Sequence, residues 1–194
     1  MPPALIRRTP DEVVTAWALA AARGDGEAVE RLIRALQNDV RRYVAHLADD
    51  YQAADDLTQE TFLRAVTALH RFEGRGSARA WVLAIARRTV IDSLRRTAVR
   101  PRLADTDNWE TAAERVQPLD LPGFDEGVAL RELVAALPRE RREAFVMTQV
   151  LDLSYAEVAE MADCPVGTVR SRVSRARANL ARLMEEETAV PVAV

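Results

Sequence analysis

The chain has 194 residues, of which 48% are hydrophobic, so it can form one or two domains with cores of their own and is not disordered throughout. Its single cysteine, Cys164, excludes an internal disulfide, and the two distant histidines, His46 and His70, leave no predicted metal or cofactor site. No run reaches the roughly 20 apolar residues that a membrane helix needs. We therefore expect a cytoplasmic protein without membrane insertion.

The formal net charge is −3, whereas a nucleic-acid-binding domain is usually basic or carries a basic patch. Arginine carries the positive charge, in clusters at 87–102, 139–142 and 170–182. Residues 103–126 are acidic and contain Arg115 as their only basic residue. Two basic regions therefore flank an acidic stretch, and the distribution of charge says more than its sum.

Helical periodicity dominates the first hundred residues. Thr9, Pro10 and Glu12 predict a helix start, with Thr9 as N-cap and Glu12 bonding back to it. This helix should end near Gly24. Further helices are predicted at 27–47, 53–70 and 78–96, and the glycines of the intervening loop at 70–77 separate the last two. We expect a four-helix domain at 1–100.

Past Pro101 the helical pattern fades into a stretch rich in Asp, Glu and Thr that contains Pro118 and Pro122, which predicts a flexible acidic linker at 101–125. The helical pattern returns at 127–137, stops at Pro138, and continues at 141–150, 155–161 and 166–184. These helices predict a second domain at 126–186, followed by a tail at 187–194. Nothing alternates as a strand does, so the predicted fold class is all-α, with two helical domains.

A helix-turn-helix is predicted within the second domain. Ser154 and Glu157 predict a capping box at the start of a short helix, Asp163 and Cys164 make the turn, and Pro165 suits the first position of the next helix. That helix carries a buried stripe at spacings of three and four, formed by Val166, Val169, Val173, Ala176, Leu180 and Leu183. We interpret Cys164 as a small buried turn residue rather than a redox switch.

The opposite side of this second helix has the chemistry of a DNA reader. It presents small hydroxyl residues and arginines, namely Thr168, Ser171, Ser174, Arg175 and Arg182, with Arg170 and Arg172 at its edges. Arginine can pair bidentately with guanine, and hydroxyl groups bond phosphates or base edges. The alternative is an arginine-rich helix that is merely solvated, but a capped helix, a tight turn and a second helix together favour a major-groove reader.

The helix predicted at 53–70 presents an outer face suited to a protein partner. Its core side is predicted to hold Thr58, Phe62, Ala65, Val66 and Leu69, which leaves Asp56, Glu60 and Leu63 facing outward. A leucine between carboxylates suggests a partner with basic and apolar groups. No nucleophile, second carboxylate pair or metal constellation converges with these carboxylates, so we do not expect an enzyme.

The helix predicted at 78–96 buries Leu83, Val90 and Leu94 along one stripe. Its other side carries Trp81, Arg88, Asp92 and Arg95. An aromatic residue and arginines on one face can stack bases and hold the phosphates of single-stranded DNA. The alternative is that Trp81 belongs to the core and that Asp92 pairs with the two arginines on a solvated surface.

Two parts of the chain resemble the extracytoplasmic-function (ECF) family of RNA polymerase sigma factors. Residues 153–159, 165–172 and 175–177 resemble the family's fourth conserved region, and residues 55–65 resemble the polymerase-binding segment of its second region. The resemblance spans about 9–98 and 126–184. It implies a sigma region 2 bundle, a sigma region 4 helix-turn-helix, and promoter-specific transcription initiation with core RNA polymerase and promoter DNA as partners. An anti-sigma factor is a possible further partner, because such partners are common in the family.

The resemblance also implies roles for individual residues. The −35 element would be read by Arg170, Ser171, Ser174 and Arg175, with Thr168 and Arg172 beside them on the predicted face. The polymerase contact, with a coiled coil of the largest subunit, would be made by Asp56, Gln59, Glu60 and Leu63. The −10 element would be melted and read by Arg71, Glu73, Arg75, Ser77, Trp81, Arg88 and Arg95, with a phosphate contact as the alternative role of Arg88. The acidic linker would thread toward the RNA path of the polymerase, although a solvated spacer fits its composition equally well.

A stand-alone transcriptional regulator is the alternative to a sigma factor. It would use only the C-terminal module to bind DNA, and its first domain would sense a ligand or form a dimer.

Overall fold

A computed structural model of the chain describes residues 8–48, 53–99 and 132–188. The first domain contains α1 (Asp11–Ala22), α2 (Gly26–Leu47), α3 (Ala53–Ala68) and α4 (Ala78–Val99), and the second contains α5 (Arg139–Phe145), α6 (Tyr155–Ala162) and α7 (Val166–Thr188). A 3-10 turn, Leu69–Arg71, follows α3, and five π-helical residues, Val146–Val150, extend α5. The described residues contain no strand, so the all-α, two-domain prediction is confirmed. The predicted linker at 101–125 lies outside the described residues, as does the predicted tail beyond residue 188.

The core of the first domain lies between α2 and its three neighbours. Helix α2 packs against α1, α3 and α4. Its stripe of Leu32, Leu36, Val40, Tyr43 and Val44 is buried, as its spacing of three and four residues requires of a core-facing helix. The predicted helix at 27–47 is therefore confirmed, with Asp25 as its N-cap, whose carboxylate accepts a bond of 3.1 Å from Ala28 N.

The inward face of α3 matches the prediction only in part. Of the predicted core residues, Ala65 and Leu69 are buried, whereas Thr58 and Phe62 are half-buried. Val66 is 42% exposed, and its placement in the core is wrong. The inward face is formed by Leu57, Thr61 and Ala65, all buried. Thr61 can be buried because its hydroxyl donates to the carbonyl of Leu57 at 2.7 Å, so no polar atom is left unsatisfied. A residue that follows Ala65 by one position is rotated by about 100° from it and reaches the outer face.

The two predicted N-terminal caps have different outcomes. At α6 the capping box is confirmed, because Glu157 N donates to Ser154 Oγ at 3.2 Å and Ser154 N donates to Glu157 Oε2 at 2.9 Å. At α1 the prediction of Thr9 as N-cap is wrong. Pro10 occupies that position without a side-chain cap, and the carbonyl of Thr9 accepts a bond of 3.0 Å from Arg79 Nη2. The contact with α4 therefore decides how the chain enters α1.

The second domain is a compact helical unit around α7. Helices α5 and α6 both pack against α7, and the core includes Val146, Met147, Leu151, Val158 and Val173. Helix α5 begins two residues earlier than predicted, with Pro138 as N-cap. Helix α7 begins at Val166, as the predicted range 166–184 has it, and Pro165 directly precedes the helix instead of occupying its first position. In both cases the carbonyl of the proline accepts the first backbone bonds of the helix. The proline nitrogen has no hydrogen to donate, so no donor is left without a partner there.

The two domains touch through a small polar contact, here called the domain contact. Glu143 of α5 accepts bonds from Tyr43 Oη of α2 at 2.9 Å and from Arg87 Nε of α4 at 2.8 Å. Nearby, Arg8 Nη2 donates to the carbonyl of Val150 at 2.6 Å. Burial is the main cause that raises the pKa of Tyr43 well above its ordinary value, and the adjacent Glu143 carboxylate raises the pKa further. Tyr43 therefore remains a hydrogen-bond donor at neutral pH.

Candidate nucleic-acid and polymerase interfaces

The first three turns of α7 expose the side predicted to face DNA. Arg170, Ser171, Ser174 and Arg175 are all exposed, and Thr168 is half-buried. On the reverse side the predicted stripe is confirmed. Its buried members are Val169, Val173, Ala176 and Leu180, and Val166 and Leu183 at its ends are half-buried. Packing of the stripe against α5 and α6 fixes the rotation of α7 about its axis, and this rotation sets which side chains reach solvent.

Two arginines at the edge of α7 are engaged within the domain. Arg172 is half-buried, and its Nη2 lies 2.6 Å from Glu140 Oε2 of α5. Its Nη1 lies 3.7 Å from Cys164 Sγ in the turn, where the cysteine is partly buried. Arg177 Nη2 donates to Gln149 Oε1 at 2.5 Å. Arg172 is therefore less available to DNA than Arg170 or Arg175.

Helix α3 exposes a mixed polar and apolar outer face. Asp56 and Gln59 are exposed, and Leu63 is 70% exposed. Val66 lies one turn beyond Leu63 on the same face and widens its apolar part. Sequence reasoning missed Val66 as a surface residue, because its spacing fits a core position almost as well. The face therefore combines carboxylate and amide groups at one end with two aliphatic side chains at the other.

Glu60, the fourth predicted polymerase-binding residue, is half-buried and ion-paired. Arg64 Nη2 lies 2.5 Å from Glu60 Oε1, and Arg96 Nη2 of α4 lies 3.7 Å from Glu60 Oε2. Arg64 also bonds Asp92 Oδ2 of α4 at 2.9 Å. The bond to Asp92 is the largest cause that raises the pKa of Arg64. This Glu60–Arg64–Asp92 network ties the outer edge of α3 to α4.

The loop between α3 and α4 presents charged side chains beside an aromatic pair. Arg71, Glu73 and Arg75 are exposed, and Arg75 Nη2 lies 2.5 Å from Glu73 Oε2. Next to them the rings of Phe72 and Trp81 pack with their centroids 5.1 Å apart. Phe72 is buried, whereas Trp81 is half-buried. The sequence left open whether Trp81 belongs to the core or to a surface that stacks bases. In the structure its ring is partly in the core and partly at the surface.

The remaining predicted −10 residues lie along α4. Ser77 is half-buried directly before the helix, and Arg88 and Arg95 are exposed on it. Asp92 pairs with Arg64 of α3. The alternative in which Asp92 pairs with the two exposed arginines of its own helix is therefore not the arrangement in the structure.

An open cleft of about 690 Å³ separates this loop and α4 from the first helix of the helix-turn-helix. One wall is basic and aromatic and includes Arg75, Trp81 and Arg88. The other wall belongs to α6 and includes Glu157 and Glu160. The cleft therefore has walls of opposite charge, and the basic wall is the surface predicted to hold single-stranded DNA.

A buried arginine lies behind the loop, and sequence reasoning missed it. Arg79 is 5% exposed. Its Nε lies 2.6 Å from Asp11 Oδ1, its Nη1 donates to the buried carboxylate of Asp39, and its Nη2 donates to the carbonyl of Thr9. The signal was Asp39 itself, which shares the inward side of α2 with Val40. A carboxylate on a buried face needs a cationic partner.

Both domains of the chain match known families, and the chain is similar to known proteins over most of its length. Residues 32–100 match the family Sigma-70 region 2, and residues 127–180 match the family Sigma-70, region 4. The chain is 50% identical over 167 residues to the ECF RNA polymerase sigma factor SigC of Mycobacterium tuberculosis, covering 86% of this chain and 89% of that protein. It is 32% identical over 169 residues to the RNA polymerase sigma-H factor of Pseudomonas aeruginosa, covering 80% and 85% of the two chains.

Solved structures of sigma factors have the same fold. The sigma factor RpoE from Bartonella quintana, solved in complex with the anti-sigma factor NepR, superposes with a TM-score of 0.67 at 25% identity, covering 80% of this chain and 96% of that chain. None of the described helices has the length and apolar content needed to cross a membrane. The chain belongs to the extracytoplasmic-function family of RNA polymerase sigma factors, which direct promoter-specific transcription initiation.

Proposed function

We propose that this sigma factor uses three separate surfaces to join RNA polymerase to its promoter. The exposed side of α7 reads the −35 element, the loop 71–77 with the exposed side of α4 opens and reads the −10 element, and the outer face of α3 binds the largest subunit of the polymerase. The observation that carries the proposal is that each surface is exposed and has the chemistry of its partner. Each is also backed by a buried stripe that fixes its direction.

The −35 surface is proposed to read bases through Arg175 and Arg170. Both side chains are exposed on the first turns of α7, and Ser171 and Ser174 between them are short enough to allow close approach to the major groove. Thr168 and Arg172 are proposed to contact the phosphate backbone at the edge of the helix. Arg172 can do so only by leaving Glu140.

The −10 surface is proposed to hold a flipped base of the non-template strand. Extrusion of a base costs stacking energy, which a pocket offsets by stacking and hydrogen bonds. Trp81 offers a partly exposed ring, and Glu73 and Ser77 offer hydrogen-bonding groups. Arg71, Arg75, Arg88 and Arg95 supply positive charge for the phosphates.

The polymerase surface is proposed to centre on Leu63. This side chain is 70% exposed, and an aliphatic anchor surrounded by polar groups is a common centre of a protein interface. Asp56, Gln59 and Glu60 on the same helix are suited to basic groups of the partner coiled coil. Val66 extends the apolar patch.

We further infer that the protein acts in the cytoplasm, where RNA polymerase works, and has no catalytic activity of its own. An anti-sigma partner is also inferred, because the similar sigma factor of Bartonella quintana is solved with one. Affinity capture of the tagged protein from cells at native expression, followed by mass spectrometry, tests for this partner.

Run-off transcription with purified core polymerase tests the proposal directly. The DNA bound by the holoenzyme is first identified by sequencing and then used as template. We expect the Arg175→Ala variant of the sigma factor to weaken −35 recognition and the Trp81→Ala variant to impair promoter opening. We expect the Leu63→Asp variant to fail to assemble with core polymerase. If the protein binds promoter DNA alone but never directs core polymerase to start, the proposal is wrong and the chain is a stand-alone regulator.

A further inference from the structure

Helix α1 contacts the loop that we propose reads the −10 element. Three residues of α1 at successive turns, Asp11, Thr15 and Leu19, lie on one side of the helix. Each contacts the segment 74–79, which contains the end of the loop and the start of α4. This side of α1 is here called the brace. None of its residues belongs to the proposed DNA-contacting set.

The polar contacts of the brace act at the point where α4 begins. The first N–H groups of a helix have no partner within the helix and need an external acceptor. Ala78 N donates to Thr15 Oγ1 at 3.1 Å, so a side chain of another helix supplies that acceptor. Asp11 accepts from Arg79 Nε at 2.6 Å and from Ser77 Oγ at 3.4 Å. The first turn of α4 is therefore fixed by α1.

The apolar contact of the brace acts on the loop itself. Gly74 has φ +73°, a conformation that favours glycine. A Cβ placed on Gly74 would lie 3.1 Å from Leu19 Cδ2, so the loop backbone passes close against α1. The exposed Glu73 and Arg75 flank this glycine. Leu19 therefore sets how far the two charged side chains stand from the helix.

Burial makes this arrangement rigid. Arg79 is held at once by Asp11 of α1, Asp39 of α2 and the carbonyl of Thr9. Loss of one partner would leave a buried charge undercompensated, which is costly. The guanidinium of Arg79 therefore has one favourable position. From there it links α4 to α1 and to α2 next to the loop.

We propose that Asp11 and Thr15 are positioning residues for base capture at the −10 element. They touch no DNA, and they hold the loop in the conformation in which its side chains meet the flipped base. A pocket organised before the base arrives loses less conformational entropy on binding than a mobile one. This inference rests on the proposed assignment of the loop 71–77 as the −10 reader.

The test measures discrimination rather than total activity. Holoenzyme is made with wild-type protein, Thr15→Val or Asp11→Asn, and with Glu12→Gln as the control on the exposed side of α1. Competitive transcription compares the promoter with templates that carry single-base changes in the −10 element. Thr15→Val removes the acceptor while preserving the shape of the side chain. We expect Thr15→Val and Asp11→Asn to reduce −10 discrimination by about threefold to tenfold, the change that loss of one hydrogen bond allows.

The other measurements separate positioning from a loss of fold. Core-polymerase affinity and discrimination at the −35 element are expected to stay at wild-type values in both variants. Asp11→Glu, which keeps the carboxylate, is expected to recover part of the −10 discrimination that Asp11→Asn loses. A loss of activity that is equal on all templates overturns the inference, because such a loss indicates that a smaller fraction of the protein is folded. Unchanged −10 discrimination in the folded variants overturns it as well.

Variants of the loop distinguish two outcomes, failure of this inference alone and failure of the proposed function. If Arg75→Ala and Glu73→Ala alter −10 discrimination but the α1 variants do not, the loop reads the element without the brace, and only the present inference fails. If neither set alters discrimination, the loop is not the reader, and the assignment of the −10 surface fails together with the role of the brace.

Discussion

The domain contact predicts a stability change with an unusual dependence on pH. Tyr43→Phe removes one oxygen from a side chain that is 1% exposed and leaves the packed ring in place. The lost bond joins Tyr43 Oη to the Glu143 carboxylate at 2.9 Å. A hydrogen bond to a charged group contributes about 1.5–3 kcal/mol. Because Arg87 Nε still bonds the same carboxylate oxygen at 2.8 Å, the lower end applies, and we expect a loss of about 1.5 kcal/mol at neutral pH.

The sign of the pH effect follows from the raised pKa of Tyr43. In the unfolded chain a tyrosine ionises near pH 10, whereas burial and then Glu143 raise the pKa of Tyr43 well above that value in the folded protein. The folded state therefore holds its proton more tightly above pH 10. The stability that this bond contributes is fully present below pH 10 and is lost as pH rises further, by at most about 1.4 kcal/mol per pH unit.

The assay compares free energies of unfolding in urea for wild type and Tyr43→Phe at neutral pH and at about pH 11. The difference of about 1.5 kcal/mol is expected to shrink almost to zero at about pH 11, because only the wild type loses the tyrosine contribution. The chain contains no lysine, so no lysine side chain titrates in this window. Tyr155→Phe is the matched control in α6. A difference that stays constant with pH, or that is below about 0.5 kcal/mol at neutral pH, refutes the reasoning.

Three further predictions follow from single contacts of the described residues. Arg175→Ala is expected to weaken −35 binding by about 1–3 kcal/mol with altered base preference, as measured by binding to promoter variants; an equal loss on all sequences would make it a phosphate contact. Leu63→Asp is expected to abolish core-polymerase binding in a pull-down without lowering the unfolding midpoint, because the side chain is 70% exposed; retained binding would remove α3 from the interface. Ser154→Ala is expected to lower the free energy of unfolding by about 1 kcal/mol through loss of the α6 cap, and an unchanged urea midpoint would contradict it.

The predictions from sequence succeed where a feature is local in the chain. The buried stripe of α7, including Val169 and Val173, follows from a spacing of three and four residues, and the Ser154 cap follows from a four-residue pattern. Each of these depends on the geometry of a single helix. The direction of the predicted DNA-facing side of α7 could therefore be derived before the structure was known.

The features that sequence could not supply are those made between distant segments. Arg79 meets Asp11 and Asp39 across 68 and 40 residues of chain, and no periodicity links such positions. The same contact explains why Thr9 is not the N-cap of α1. The carbonyl of Thr9 accepts a bond from Arg79 instead of the first bond of the helix. Val66 was misplaced for a related reason. Which of two adjacent residues faces inward depends on how α3 is rotated against α2 and α4.

The ion pairs of α3 also decide which substitution tests the polymerase surface most sharply. Glu60 is an attractive choice, because it resembles a family contact residue and its reversal to lysine would oppose a basic partner. In the structure, however, Glu60 pairs with Arg64, which also holds Asp92 of α4. Glu60→Lys would place like charges together and release Arg64, so it would disturb α4 and the proposed −10 surface along with the polymerase contact. Leu63 is uncharged and 70% exposed, so it takes no part in these ion pairs. A loss of binding in Leu63→Asp can therefore be assigned to the outer face of α3 alone.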